Sequence, residues 1–363
     1  MKTIFFVHLF NDYSGSPRVL RDAVNAIREK TGSDIHIISS ATLGFLSEAG
    51  CYHVVPYHPH SNKYIQLFRY VISQMITFVL LSYLLIRERF KGNHTTVVVN
   101  TLLPFGGTIA AKLLAHRTIA YIHETYIRPR ILLQFLSNIA NQCAGEAFFV
   151  SLYVQQVISL KKPKRYVLYN GLRDDFKVPE LHPIKKFSEK QVLFVGSLKV
   201  YKGIYTFTAL AKRLPEVNFV ALLNTSVDDF NHFQSVLEHI PNFSAYRNPD
   251  NLDEFFTSAF MVVNLSDPHQ CIETFGLTLL EGMSFGAPVI APPHGGPVEL
   301  VNDNVGRLIE PSNLDEITTF ISELSIDFER WNTLSQNCLR HAAAFSSENY
   351  KKNILDIIRY NKK

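Results

Sequence analysis

Two acids eight positions apart, Glu273 and Glu281 in "ETFGLTLLEG", flank a Phe-Gly-Leu step, and a lysine–glycine pair, Lys202-Gly203, stands upstream in "VLFVGSLKVYKGIYTFTALAKRL". At about 100° per residue, eight helical positions leave two side chains about 80° apart, so the acids do not stack on one helix face. The spacing instead predicts Glu273 in a loop, a helix starting near Gly276, and Glu281 one to two turns inside it. Both acids then look toward a helix N-terminus, where free N–H groups and the helix dipole favour an anion. In the upstream segment the pattern predicts a strand ending at Val195, a turn at Gly196, and Lys202 at the start of the next helix. Fixed amide dipoles and a mobile ammonium there suit a diphosphate. The spacing is not that of a P-loop, and the first turn has no G-x-G-x-x-G.

The elements that must hold these residues alternate. Apolar strand-length runs ("TIFFVHLF", "DIHIISS", "TTVVVNTLL", "RTIAYIHE", then "QVLFVGSL", "VNFVALLN", "FMVVNLS", "APVIAPP") alternate with helix-length amphipathic runs. Strands apolar on both faces and separated by helices predict parallel sheets covered on each side. Residues 172–190, polar with two prolines, read as a linker between two such domains, and the pair Asp174-Asp175 within it as solvated. In "NDYSGSPRVLRDAVNAIREKTG", Ser16 suits a helix N-cap, Pro17 the first helical position and Gly32 the position past the C-terminus. Gly15 lets backbone come close to whatever sits at that helix end. Tyr70–Ile86 is an uncharged run shorter than the roughly 20 residues of a membrane span and contains Ser73, Gln74, Thr77 and Ser82. It reads as a helix buried against the first sheet, ahead of a surface-lying helix or a span.

A chain of 363 residues, 47% hydrophobic and 19% charged, exceeds one ordinary core and excludes a disordered class. Cys51, Cys143, Cys271 and Cys338 show no C-x-x-C pair and no metal-like spacing, which fits a reducing compartment. The opening "MKTIFFVHLFND" reads as a first buried strand, not a signal peptide. Net charge is +4, unevenly placed: residues 1–171 carry 18 Lys/Arg against 8 Asp/Glu, the remainder 18 against 24. The basic first half favours an anionic partner.

"VGSLKVYKG", "SDPHQCIETFGLTLLEGMSFGAPVIAPPHGGPVELV" and "NVGRLIEPSN" together resemble the donor half of the GT-B glycosyltransferases of the family-4 type, retaining enzymes with an E-x7-E signature. The likeness reaches the first half through "YIHE" and "YNGL". It implies an α/β GT-B fold of two Rossmann-like domains whose parallel sheets face a central cleft. Residues 1–171 would form the acceptor-side domain, with the C-terminal helix 344–363 crossing back to it, and 191–343 the nucleotide-sugar donor domain.

The resemblance further implies roles. Glu281 would hydrogen-bond ribose hydroxyls, with a solvated helix residue as the bland rival. Glu273 would face the transferred sugar, and the amides of Phe275, Gly276 and Leu277 would hold diphosphate or sugar. Lys202 would neutralise the leaving diphosphate, His123 would stand near the anomeric centre, and the base would lie near Tyr246 and Arg247. Gly15, Ser16, Gly196 and Ser197 complete the donor-binding set, whereas His8 and His294 read as structural. Ser197 stands where the family pattern has an arginine, a loss on the order of 1.5–3 kcal/mol for a charged hydrogen bond. One carboxylate on ribose makes this unlike a glycosidase pair, which sets both acids across one bond.

The expected enzyme is a hexosyl-type transferase acting on a lipid-linked or polysaccharide acceptor in cell-surface polysaccharide synthesis. It would need no cofactor, and no metal, since D-x-D is absent. Its partners would be a nucleotide sugar, a glycan or lipid-linked acceptor and an anionic membrane surface, with no nucleic acid. It would be cytoplasmic, with peripheral attachment to the inner face of the cytoplasmic membrane as the option the basic half leaves open. A GT-B epimerase or phosphorylase, or a catalytically silent sugar-nucleotide-binding paralogue, are the alternatives.

Overall fold

The structure is a computed structural model that describes residues 2–47, 49–174 and 178–359. Asp175 and the last four residues of the expected C-terminal helix lie outside the described residues. The chain divides into two compact units, 1–171 with 348–363, and 172–347.

The first unit runs β1 (Lys2–Val7), α1 (Gly15–Thr31), β2 (Asp34–Ser39), β3 (Cys51–Val54), α2 (Lys63–Phe90), β4 (His94–Asn100), α3 (Phe105–Leu114), β5 (Arg117–Ile122), α4 (Arg130–Cys143), β6 (Glu146–Phe149), α5 (Leu152–Val157) and β7 (Lys164–Val167). Its seven strands lie in the order β3-β2-β1-β4-β5-β6-β7, every pair parallel. Because helices cover both faces, the inner strands β1, β5 and β6 are buried almost throughout, with Phe5, Phe6, Phe148 and Phe149 fully buried, whereas the edge strands β3 and β7 are polar and partly exposed.

Two local expectations need correction. The N-cap of α1 is Ser14, not Ser16, which falls in the first turn. Asp12 fixes that start by accepting the Ser14 N–H at 3.0 Å, so the loop ends two residues earlier than the Ser-Pro pair suggested. Gly32 does close the helix, at φ 57°.

The apolar run around Tyr70 belongs to the 28-residue α2, and it is buried on one face only. That inner face is partly polar: Ser73, Gln74 and Thr77 pack inward. Helix α3 approaches closely there, at Gly106, where a Cβ would lie 2.1 Å from the Gln74 carbonyl oxygen, and the Gly106 N–H donates to the Gln74 side-chain oxygen at 3.2 Å. The outer face carries exposed Tyr64, Phe68, Met75, Val79, Tyr83 and Phe90. The helix is long and apolar enough to cross a membrane by length and composition.

The second unit runs α6 (Pro183–Glu189), β8 (Gln191–Ser197), a 3-10 turn (Val200–Lys202), α7 (Ile204–Arg213), β9 (Asn218–Asn224), α8 (Val227–Val236), β10 (Phe243–Arg247), α9 (Asp253–Ser258), β11 (Ala259–Val263), α10 (Leu277–Ser284), β12 (Val289–Ala291), α11 (Pro297–Leu300), β13 (Gly306–Leu308), α12 (Leu314–Ile326) and α13 (Phe328–Ala343). Its six parallel strands follow the order β10-β9-β8-β11-β12-β13. The core packs Trp331 against Phe260 and Phe187, with the indole N–H donating to the Phe260 carbonyl at 2.9 Å.

Residues 172–190 cluster with this unit, and α6 within them buries Lys186. Its ammonium donates to the Phe285 carbonyl at the C-cap of α10 and to the Phe256 carbonyl in α9 at 3.3 Å. Burial lowers that ammonium to about 7.

The last helix, α14 (Ser347–Arg359), packs on the first unit. Arg117 holds its end, donating to the carbonyls of Ile357 and Ile358 at 3.0 and 2.7 Å while pairing in a bidentate manner with Glu146.

Candidate functional site

In open parallel sheets, ligands gather at the carboxyl ends of strands where the strand order reverses. The first sheet reverses between β1 and β4, the second between β8 and β11. Each unit places its chemistry there.

In the second unit Lys202 follows β8 and Glu273 follows β11, and they meet as an ion pair, Nζ to Oε2 3.0 Å, both side chains a quarter exposed. Burial on its own would lower the lysine's pKa; the Glu273 carboxylate, as charge and acceptor, outweighs it and raises the ammonium. Three residues beyond Glu273, Gly276 at φ 110° caps α10, whose opening amides have no acceptor within the helix. The loop carrying Glu273 is set by "HGG": a Cβ at Gly295 would lie 2.3 Å from the Glu273 carbonyl oxygen, and one at Gly296 would lie 2.2 Å from that of Thr274. The Gly296 N–H donates to the Glu273 carbonyl at 2.9 Å, locking the loop height.

Glu281 is only 3% exposed, which rules out the solvated-residue reading. Its carboxylate faces Arg173, Oε1 to Nε 3.7 Å. Arg173 was missed because the polar stretch around it read as linker; only its lone arginine before an acidic pair offered a signal. Phe275 is buried beneath the loop.

Gly196 and Ser197 do not turn the chain. They are the last residues of β8, paired with Leu223 and Asn224, and the turn comes after them, where the Lys202 N–H closes on the Lys199 carbonyl at 2.9 Å. The strand persists because β9 offers a full ladder to Asn224. Tyr246 and Arg247 end β10, the edge strand two places from β8, with Tyr246 tilted on Phe255 at 5.0 Å between ring centroids. Two strand spacings are about 10 Å, so these residues stand along the same sheet edge, apart from the Lys202–Glu273 pair.

In the first unit His123 follows β5, and its Nε2 lies 2.8 Å from the Asn100 side-chain oxygen. The Asn100 amide donates to His8 Nδ1 at 3.1 Å and to the Ser16 carbonyl at 3.2 Å. Asn100 thus ties the start of α1 to both histidines. With the His123 proton held on Nε2, its Nδ1 keeps a lone pair. Burial, reinforced by His8, lowers His123 to about 3, and burial lowers His8 to about 4, so both rings stay neutral.

Beside them burial raises Glu124 to about 7, although its oxygens accept the Leu102 and His123 N–H groups at 2.6 and 3.2 Å. Thr101 between Asn100 and Leu102 holds φ 72°, an unusual conformation for a β-branched residue and one that clusters at functional sites. His8, read from sequence as structural, is therefore part of the His123 network, and Asn100 and Glu124 join it unannounced. Next to this network a groove of about 840 Å3 runs along Thr125–Arg130, α4 and Val157–Leu160. Gly15 opens α1 beside Ser16.

Residues 179–338 match the family model of glycosyl transferases group 1, a stretch confined to the second unit. An uncharacterized glycosyltransferase of Methanocaldococcus jannaschii is 31% identical over 147 residues, 39% of this chain and 37% of the relative. A probable sucrose-phosphate synthase of Oryza sativa is 41% identical over 86 residues, 23% of this chain and 8% of the relative. The chain therefore spans well under half the length of these curated relatives. The structure of Anabaena HepE in complex with UDP-glucose superposes with a TM-score of 0.80 at 18% identity, covering 99% of this chain and 100% of that one. The fold is the GT-B glycosyltransferase fold, with two Rossmann-like parallel-sheet units. Its second unit carries the glycosyl transferases group 1 sequence pattern.

Proposed function

We propose that the protein transfers a sugar from a nucleoside-diphosphate donor to an acceptor hydroxyl with retention of configuration, as a family-4 type enzyme using the E-x7-E pair. The observation that carries this is the Lys202–Glu273 pair at the second switch point, three residues before the N-terminus of α10. As the bond from the anomeric carbon to the diphosphate oxygen breaks, negative charge grows on the leaving group. Lys202 and the α10 dipole stabilise it, an electrostatic contribution preorganised before the reaction. Glu273 orients the sugar and parks the lysine until donor arrives. Glu281, held by Arg173, takes the ribose diol, and Tyr246 with Arg247 the base. Ser197 leaves Lys202 as the chief cation there, with Gly196 beside it.

Within the first unit, neutral His123 serves the sugar and the acceptor hydroxyl, while Gly15 and Ser16 lend backbone to the donor. No cofactor or metal enters the transfer step. The groove beyond Glu124, with Arg128 and Arg130 in its lining, suits a glycan or lipid-linked acceptor of cell-surface polysaccharide synthesis. The exposed apolar face of α2, flanked by Lys63, Arg69 and Arg89, supports peripheral attachment to an anionic membrane from the cytoplasmic side.

Thermal shift with UDP, GDP, ADP, CDP and TDP tests the reading. UDP heads the panel because Anabaena HepE is described in complex with UDP-glucose. One nucleoside diphosphate should raise the Tm, and Lys202→Ala should abolish the rise. No response to any of the five would overturn the proposal.

A further inference from the structure

At the end of the first sheet opposite Asn100, the starts of β2 and β3 bring together side chains that glycosyl transfer does not use. Parallel register sets Cys51 beside His36 and His53 beside Ile38. The two-residue period of strands then puts Asp34, His36, Cys51 and His53 on one face. His36 Nδ1 lies 2.9 Å from His53 Nε2, and Cys51 Sγ lies 3.7 Å from the same nitrogen. One donor atom from each of the three falls within 4.8 Å of the others.

The cluster has its orientation built in. Asp34 Oδ2 is 3.1 Å from His36 Nε2, so the carboxylate keeps the ring proton on Nε2 and turns the Nδ1 lone pair toward Cys51 and His53. A carboxylate behind a histidine in this way orients metal-ligating imidazoles in general. Phe5 stacks on the same His36 ring at 5.0 Å and fixes its plane. Burial first, then His36 and Arg87, lowers the His53 pKa.

We propose that His36, Cys51 and His53 form a zinc site, with Asp34 holding His36 from behind and a fourth position left to water. Tetrahedral zinc with Zn–N near 2.0–2.1 Å and Zn–S near 2.3 Å needs nitrogens about 3.3 Å apart and nitrogen and sulfur about 3.6 Å apart. The sulfur already sits at 3.7 Å from His53 Nε2 and within 4.8 Å of the His36 nitrogen, and the two nitrogens must part by about 0.4 Å. Without metal, His53 Nε2–H donates to His36 Nδ1. On binding, that proton moves to His53 Nδ1 and the Cys51 thiol proton leaves to solvent, one proton released per zinc. Arg87 opposes the cation, and its guanidinium is engaged by Glu88 at 3.3 Å.

Scanning the cysteines for close pairs misses this trio because its ligands come from two strands. The site lies at the amino ends of the strands, away from the switch point, and β3 is the edge of the sheet with Cys51 exposed. Zinc there clips an edge strand to its neighbour.

The test titrates cobalt, then zinc, into the metal-free full chain. One equivalent of Co2+ should give a thiolate-to-metal charge-transfer band in the near ultraviolet and tetrahedral bands in the visible, bleached by one equivalent of Zn2+. Zn2+ alone should raise the Tm. Cys51→Ser, at an exposed side chain, should abolish the charge-transfer band while leaving the metal-free Tm in place, and Cys143→Ser and Cys271→Ser should retain it. Asp34→Asn should weaken zinc binding about 10–100-fold. His36 packs on Phe5, so the exposed Cys51 variant carries the decision without a folding defect. Absence of the band at one equivalent, or its survival in Cys51→Ser, overturns the site.

Discussion

His8 follows β1 much as Lys202 follows β8, and Asn100 closes β4 at the place from which, in the other sheet, the chain leads on to Glu273. The two units offer corresponding positions at their switch points and fill them with opposite chemistry. The first holds a network built on neutral rings, with His8 and His123 kept uncharged by burial. The second holds paired ions, Lys202 with Glu273 and Arg173 with Glu281. A hydroxyl reacts through where its protons sit, whereas a departing diphosphate has to be met by charge. Each set suits one half of a group transfer.

The charged half breaks most visibly. Lys202→Ala should lower kcat/KM by about 10²–10³-fold, the scale for losing one preorganised group that stabilises transition-state charge. Calorimetry should show weaker nucleoside diphosphate binding in the same variant; unchanged turnover would remove Lys202 from the chemistry. Arg173→Met should next destabilise the protein by about 3 kcal/mol in denaturant unfolding, because it leaves the buried Glu281 carboxylate without this partner. Adding Glu281→Leu should recover most of that loss, and failure to recover would show that the pair is not coupled.

In the neutral half the effects are smaller and concern protons. Asn100→Ala should reduce kcat about tenfold, the worth of a hydrogen bond of about 1–1.5 kcal/mol, with nucleotide affinity unchanged. Asn100→Asp should push the acidic limb of the pH–rate profile upward, since an anion beside His123 raises a pKa that burial holds near 3. Equal losses in turnover and nucleotide affinity would make Asn100 merely structural.

Glu124 sets the smallest effect. Its folded-state pKa is raised from 4.5 to about 7, so its stabilising contribution is full below 4.5 and is lost as pH rises through about 7. Glu124→Gln removes that titration. Between about pH 5 and 8 the wild type should lose about 1–2 kcal/mol relative to the variant, less than the full shift at 1.36 kcal/mol per unit because some solvent still screens the carboxyl. Parallel pH profiles for the two proteins would refute this.

The alternating elements were legible because strands buried on both faces must be apolar, and Gly276 announced the start of α10 through its place before an amphipathic run. The pairing of Lys202 with Glu273 was not, since spacing brings both to one anion site without saying that they meet. Asn100 and Arg173 act across the fold, and neither has a local pattern that marks it. The exposed face of α2 escaped for another reason: a continuous apolar run carries no period, so it cannot say which side is covered. There Gly106 decided the matter, by letting α3 come so close that its backbone N–H takes the Gln74 side-chain oxygen as acceptor.

Lys186 gives the second unit an unexpected boundary. Helix α10 has its C-terminal carbonyl engaged by this ammonium and its interior acid faced by Arg173, and both residues precede the first strand of their sheet. An excised fragment beginning at residue 191 would keep every strand of that sheet and still lose both partners, exposing a helix end and removing the arginine that faces a buried carboxylate. A fragment beginning at residue 172 would keep them. The portable module is therefore longer than its sheet, and grafting it onto another first unit means carrying its preamble along.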